Sequence, residues 1–421
     1  AVHHFIRGRK DVRNIRWSPD GKTLSFVMTE KEKQALWLIP SRGGEAYALT
    51  KDDGYFGNHL WAPDSKSIVC EFTVKKEDKE RMPEKGKPPL YHHVRNMWYK
   101  LDGRGMLPEE KQHIWAVRVK SGRMRQLTFG RNGDDLGDIS SDGRYAVFSS
   151  NRNERFEEKM QYVDLFIVDL ATAKEKIVPT PAGPKWAPVF SPDAKYIAYR
   201  GRLYPEEWAG WRNIDIWYVR RSGGRATNLT RAFGRTFDAL LLDDMGHPEH
   251  TRPVFSRDGR YLYDITTVEG DCSLYRIDIR QKKVNKLSGK NERIYAFNHD
   301  GLDAWALAIC SASDPGNLYV ERAGIRRQIT RLNAGYLKAH RISAPEELKW
   351  KGHNGDTIQG WLIRPPNFTA KKRYPLCVEI HGGPYAAYGN SFFHEFQVLA
   401  AKGYLVVYCN PHGSTGYGEK F

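Results

Sequence analysis

Residues 376–391 read LCVEIHGGPYAAYGNS. The first five are apolar in all but one place, as in a strand buried on both faces of a parallel sheet. The run stops at His381-Gly382-Gly383-Pro384. Glycines at a strand end let another oxygen approach the backbone N–H groups closely. Downstream, SFFHEFQVLAAKG (391–403) has helical spacing, with Ser391 as N-cap and Gly403 just past the C-terminus. YLVVYCNPHGS (404–414) reads as a second buried strand. Upstream, LKWKGHNGDTIQGWLIRPP (348–366) reads as a hairpin turning through His353-Asn354-Gly355-Asp356. From residue 346 the chain is therefore expected to form an α/β sheet covered by helices.

The preceding three quarters follow another rule. WSPDG (17–21) returns as WAPDS (61–65), ISSDG (139–143), FSPDA (190–194), FSRDG (255–259) and FNHDG (297–301). Ser-Pro-Asp-Gly suits a type I turn. Each copy leads into a period-2 apolar run such as KTLSFVM or KYIAYR. A second marker closes most units: ALT ending at Thr50, QLT at Thr128, NLT at Thr230, KLS at Ser288 and QIT at Thr330. The third unit closes weakly near Ile177 and Val178. Units of about 40–45 residues with four short strands are β-propeller blades. Six are clear, and a seventh built from the termini stays open. An open β-solenoid or sandwich is the competing architecture, which four strands per unit disfavour. Two insertions interrupt the pattern, at 74–111 and 231–251.

Composition narrows the function classes. The 421 residues are 40% apolar and 12% aromatic, enough for sizeable cores. No apolar run approaches the ~20 residues of a membrane span. The net charge is +16, but Lys and Arg are interleaved with acids, as in VKKEDKERMPEKGK (74–87). Nucleic acid and membrane are therefore not expected partners. Cys70, Cys272, Cys310, Cys377 and Cys409 are odd in number and widely spaced. They read as buried free thiols in a reducing, cytoplasmic setting. His92 and His93 read as ordinary loop residues, so no metal and no cofactor is expected.

HGGPYAAYG (381–389), followed after one helix by GYLVVYCNPHGSTGYGEKF (403–421), resembles the start of the catalytic domain of the prolyl oligopeptidase family, in its acylaminoacyl-peptidase-like branch. The resemblance implies a mostly β chain. Residues 1–345 would form the β-propeller, and 346–421 the first part of an α/β-hydrolase domain on which the N-terminal residues pack. It implies a serine-type peptidase acting on short peptides, with the propeller gating access. The Gly383 N–H would be an oxyanion-hole donor. Gly382 would shape the loop, and His381 and Pro384 would frame it. Glu206 and Glu207, in YPEEWAG (204–210), resemble the paired acids with which dipeptidyl peptidases of the family grip a substrate amino group. The other reading of the pair is a solvated loop. His412 stands where the family usually has Arg.

No Ser in the sequence has Gly at both −2 and +2, the pattern of a nucleophile elbow. Ser414 comes nearest, with His412 where Gly is needed. The nucleophile, acid and base are thus expected outside these residues, in a C-terminal remainder that partners this chain. The chain alone is expected to be inactive, and the family often assembles as homo-oligomers. Two alternatives stay open: a propeller binding or scaffold protein with a non-catalytic hydrolase remnant, and an esterase.

Overall fold

The computed structural model describes residues 5–421 except 7–10, 32, 76–93, 95, 102–104, 108, 208–211, 247–250 and 384. His92, His93 and Pro384 thus lie outside the described residues. Six antiparallel groups of four strands follow one another, each in a blade-like order. The first is Val12–Trp17, Thr23–Glu30, Lys33–Pro40 and Tyr47–Ala48. The next five begin at Gly54, Asp134, Lys185, Val254 and Arg293. A single parallel bridge, Cys272 to Arg293, joins the fifth to the sixth. These are the six units of the sequence repeat, and no seventh occurs among the described residues. The chain divides into two compact units. One is Ala1–Ile197, Leu203–Glu206 and Val219–Arg225; the other is Ala198–Arg202, Glu207–Tyr218 and Ala226–Phe421.

The repeated turn is closed by side chains more than by proline. Ser18, Ser140, Ser191 and Ser256 donate to Asp20, Asp142, Asp193 and Asp258 at 2.5–2.6 Å. Each carboxylate also accepts the N–H two residues on, at 3.0–3.1 Å. These donors, the serine hydroxyl first, hold the four carboxyls below the usual range. The closing hydroxyls have an equally regular task. Thr50, Thr128, Thr230, Ser288 and Thr330 accept the N–H of Leu36, Ile114, Ile216, Leu274 and Leu318, each in the third strand of its blade, at 2.9–3.1 Å. They satisfy a buried donor where the short fourth strand has ended.

Buried charges tie neighbouring sheets within each unit. In the first unit, Glu71 accepts from Asn58 N at 2.8 Å and Leu136 N at 2.7 Å. Both donors stand at register shifts in the first strands of their sheets. Burial lifts the Glu71 carboxyl to about 8, against the pull of those two N–H groups. In the second unit, Arg200 donates to Asp264 at 2.9 Å, to Asp238 at 3.2 Å and to Thr251 at 3.1 Å.

Residues 346–421 build a mixed sheet in the order Glu346–Lys351, Thr357–Ile363, Leu405–Asn410, Leu376–Glu379. The first pair is the expected hairpin; the last pair is parallel. Helix His394–Ala401 packs Phe396 and Ala400 against Trp361, Ile363, Val406 and Tyr408. Two expectations need correction. The strand Leu376–Glu379 is not buried on both faces but lies at the sheet edge. Leu376, Val378 and Ile380 are 57%, 55% and 79% exposed, because among the described residues nothing pairs beyond them. Ser391 does not cap the helix, and its hydroxyl is buried without a partner. The cap comes from Asp244, whose carboxylate accepts the N–H groups of His394 at 2.9 Å and Glu395 at 2.8 Å. Gly403, at φ 95°, ends the helix as expected.

Candidate active site

The parallel strand delivers His381 to the C-terminal edge of the sheet. Its imidazole is buried and stands edge-on to Tyr388, 5.1 Å between ring centres. Nδ1 lies 2.9 Å from Gly382 O, and Nε2 lies 3.0 Å from Ser414 Oγ. Because a carbonyl only accepts, Nδ1 carries the proton and Nε2 faces the serine hydroxyl. Ser414 Oγ is also 2.7 Å from Pro411 O. This buried serine–histidine pair is therefore a tie between two loops rather than a nucleophile and its base. A carbonyl, not a carboxylate, orients the imidazole, and the hydroxyl is turned away from solvent. Asn410 adds a second tie, accepting from Tyr388 N at 2.8 Å and donating to Tyr388 O at 2.9 Å.

Between these anchors the backbone opens. Gly382 and Gly383 are exposed, and among the described residues their N–H groups have no hydrogen-bond partner. Gly383 has φ 125°, and a Cβ there would come 2.8 Å from Tyr385 N. Only glycine fits. Past Pro384 the loop is fixed again. Tyr385 Oη lies 2.8 Å from Thr236 Oγ1 and 3.3 Å from Arg212 O. Thr415 N donates to Ala386 O at 3.1 Å. Ala387 makes a parallel bridge to Leu241, through Leu242 N to Ala387 O at 2.9 Å and Ala387 N to Leu240 O at 3.2 Å. The result is a short stretch of unsatisfied N–H groups, held at both ends and open to an incoming oxygen. That is the form of an oxyanion-binding loop.

The chain resembles known proteins in sequence and in fold. The prolyl oligopeptidase family pattern matches residues 390–421. The uncharacterized peptidase YuxL of Bacillus subtilis is 34% identical over 99% of this chain and 64% of its own length. Residues 390–421 thus carry this family's pattern, and nearly the whole chain resembles a peptidase in sequence. Dipeptidyl-peptidase 5 of Porphyromonas endodontalis is 24% identical, over 98% of this chain and 60% of its own. Among solved structures, an acylaminoacyl peptidase in complex with Z-Gly-Gly-Phe-chloromethyl ketone has the same fold, at TM-score 0.77 and 21% identity. That match covers 97% of this chain and 59% of the other. The chain thus spans about three fifths of the length of the relatives it matches.

The other residues singled out by the family resemblance fall into different surroundings. Glu207 is held by Arg212 through two hydrogen bonds, at 2.7 and 3.0 Å, while Glu206 is exposed. Arg212 also reaches Glu419 at 3.6 Å, and its carbonyl faces Tyr385, which links Glu207 to the glycine loop through one residue. His412, in the family's usual arginine position, lies 3.3 Å from Asp356 and packs on Phe421, 5.1 Å between ring centres. Sequence reasoning missed the segment 236–244. It touches the glycine loop through Thr236 and Leu240–Leu242 and caps the helix through Asp244. It also pairs Asp243 with the buried Arg293. Its one signal was three consecutive leucines between aspartates in a presumed surface insertion.

Proposed function

We propose that this chain is the propeller-bearing part of a serine-type peptidase of the prolyl oligopeptidase family, acting on short peptides, and that it supplies the oxyanion loop. The observation that carries this reading is the exposed Gly382–Gly383 backbone, anchored at both ends on the C-terminal edge of a parallel strand. Gly383 N–H donates to the oxyanion of the tetrahedral intermediate. The Ser-His-Asp triad comes from a remainder whose first strand pairs with the open edge of Leu376–Glu379. There the serine forms the acyl-enzyme, histidine serves as base and aspartate orients it. The propeller limits entry to short or unstructured peptides. The reading includes a cytoplasmic setting, which five free thiols support. It requires no metal or cofactor.

The test is denaturing mass spectrometry of the native protein after a fluorophosphonate probe, with peptide turnover followed in parallel. A labelled serine in a polypeptide that continues or accompanies this chain, together with cleavage of short peptides, supports the reading. An unlabelled protein that cleaves no peptide overturns it. Acyl-aminoacyl, free dipeptidyl and p-nitrophenyl ester substrates, compared side by side, then fix the terminal preference and separate a peptidase from an esterase.

A further inference from the structure

We infer that Tyr385 and Thr236 act as a positioning pair that sets the direction of the Gly383 N–H. This rests on the peptidase reading above. The argument begins with proton counting. Arg212 O can only accept, so the Tyr385 hydroxyl donates to it across 3.3 Å. The contact of 2.8 Å between Tyr385 Oη and Thr236 Oγ1 then takes its proton from the threonine. Thr236 Oγ1 in turn accepts from Ile214 N at 3.1 Å. The chain Ile214 N–H, Thr236 hydroxyl, Tyr385 hydroxyl, Arg212 carbonyl joins two backbone groups through two hydroxyls, with Thr415 also beside the phenol. It is half-buried at Tyr385, and that burial pushes the phenol up, so the hydroxyl stays protonated.

This chain governs the glycine loop because of one short distance. The space a Cβ would fill at Gly383 is 2.8 Å from Tyr385 N, so the backbone at Tyr385 closes off one side of Gly383. Gly382 has nothing within 4 Å of the same position, and its carbonyl is tied to His381 Nδ1. His381 fixes the near end through Ser414, and Tyr385 fixes the far end. The far anchor belongs to the segment 236–244. Arg200 secures that segment through Asp238, and the Thr266 hydroxyl secures it by donating to Thr236 O. Thr236 thus transmits the position of the blades of this unit to the loop.

The test uses the full-length protein and four variants: Tyr385→Phe, Thr236→Val, Thr236→Ser and the double variant Tyr385→Phe/Thr236→Val. Phe removes the link, Val removes both the link and the acceptor for Ile214, and Ser keeps every bond. We expect kcat to fall about tenfold in Tyr385→Phe and Thr236→Val, with KM within about twofold. Thr236→Ser should retain the parent kcat, and the double variant should be no slower than Thr236→Val. Backbone amide exchange over 382–388 should rise in the two impaired single variants and not in Thr236→Ser. That readout needs no turnover, so it separates the two ideas. A parent protein that cleaves nothing overturns the peptidase reading, while exchange still reports on the pair. Unchanged exchange in Tyr385→Phe, or an unchanged kcat in an active parent, overturns the positioning role.

Discussion

Gly383 combines two demands on one residue. Its φ of 125° lies where a Cβ is strained, and that Cβ would press on Tyr385 N at 2.8 Å. In the full-length protein, Gly383→Ala is expected to lower kcat about a hundredfold with little change in KM, because the lost interaction exists only with the oxyanion. Steady-state kinetics on a peptide substrate check this; an equal fall in Gly382→Ala, whose Cβ position is empty, would count against the assignment. Ser414 shows how a residue's chemistry depends on what surrounds it. The sequence marks it as the nearest approach to a nucleophile elbow, yet its hydroxyl is buried between His381 and Pro411 O. The HGG motif was readable because glycine pairs at strand ends have a local cause. The role of Ser414 was not, since its partner is 33 residues away.

At the scale of elements, the blades follow local rules and the helix does not. Four of the six turns are closed by serine and aspartate two residues apart, and five of the six fourth strands end on a hydroxyl that reaches the third. Such short-range bonds explain why six units could be read from the chain. The helix His394–Ala401 takes its cap from Asp244, 150 residues earlier. Asp244→Ala is expected to destabilise this unit by about 1 kcal/mol, the usual worth of an N-cap with a favourable charge. Urea unfolding followed by tryptophan emission measures it, and Ser391→Ala is the control expected to change little. Glu71 gives a pH prediction for the other unit. Its folded value is raised to about 8 from the ordinary 4.5, so between these values the folded state binds more protons than the unfolded one. This contribution is full below pH 4.5 and is lost as pH rises to 8. Unfolding free energies at pH 5.5, 7 and 8.5 should decline, and Glu71→Gln should flatten the slope while turning an amide N–H toward one of the two backbone donors. An unchanged slope in that variant would remove Glu71 as the cause.

At the scale of the whole molecule, the mixed sheet leaves one edge open among the described residues. Leu376, Val378 and Ile380 point alternate apolar side chains outward from a strand with a free hydrogen-bonding edge. Such an edge templates pairing with another chain. The 421-residue chain expressed alone is expected to self-associate, and Val378→Lys with Ile380→Lys should shift it toward monomer in sizing chromatography. In the full-length protein the same changes should disrupt folding, because the edge would then be covered. Equal sizing profiles for the parent chain and the double variant would show that the edge does not drive association.

The sequence by itself determined the repeat, the change to an α/β pattern near residue 346, the glycine loop and the resemblance to the prolyl oligopeptidase family. Turns, period-2 burial and glycine conformations all act over a few residues, so each leaves a local mark. The tertiary structure alone decided how the loop is held. Tyr385 meets Thr236, Asp244 meets the helix, and Arg200 meets Asp264, across separations of 149, 150 and 64 residues. Burial leaves Arg200 and Asp264 no water to bond, so they must find one another, and which groups meet, there and at the exposed Asp244, depends on how the sheets pack.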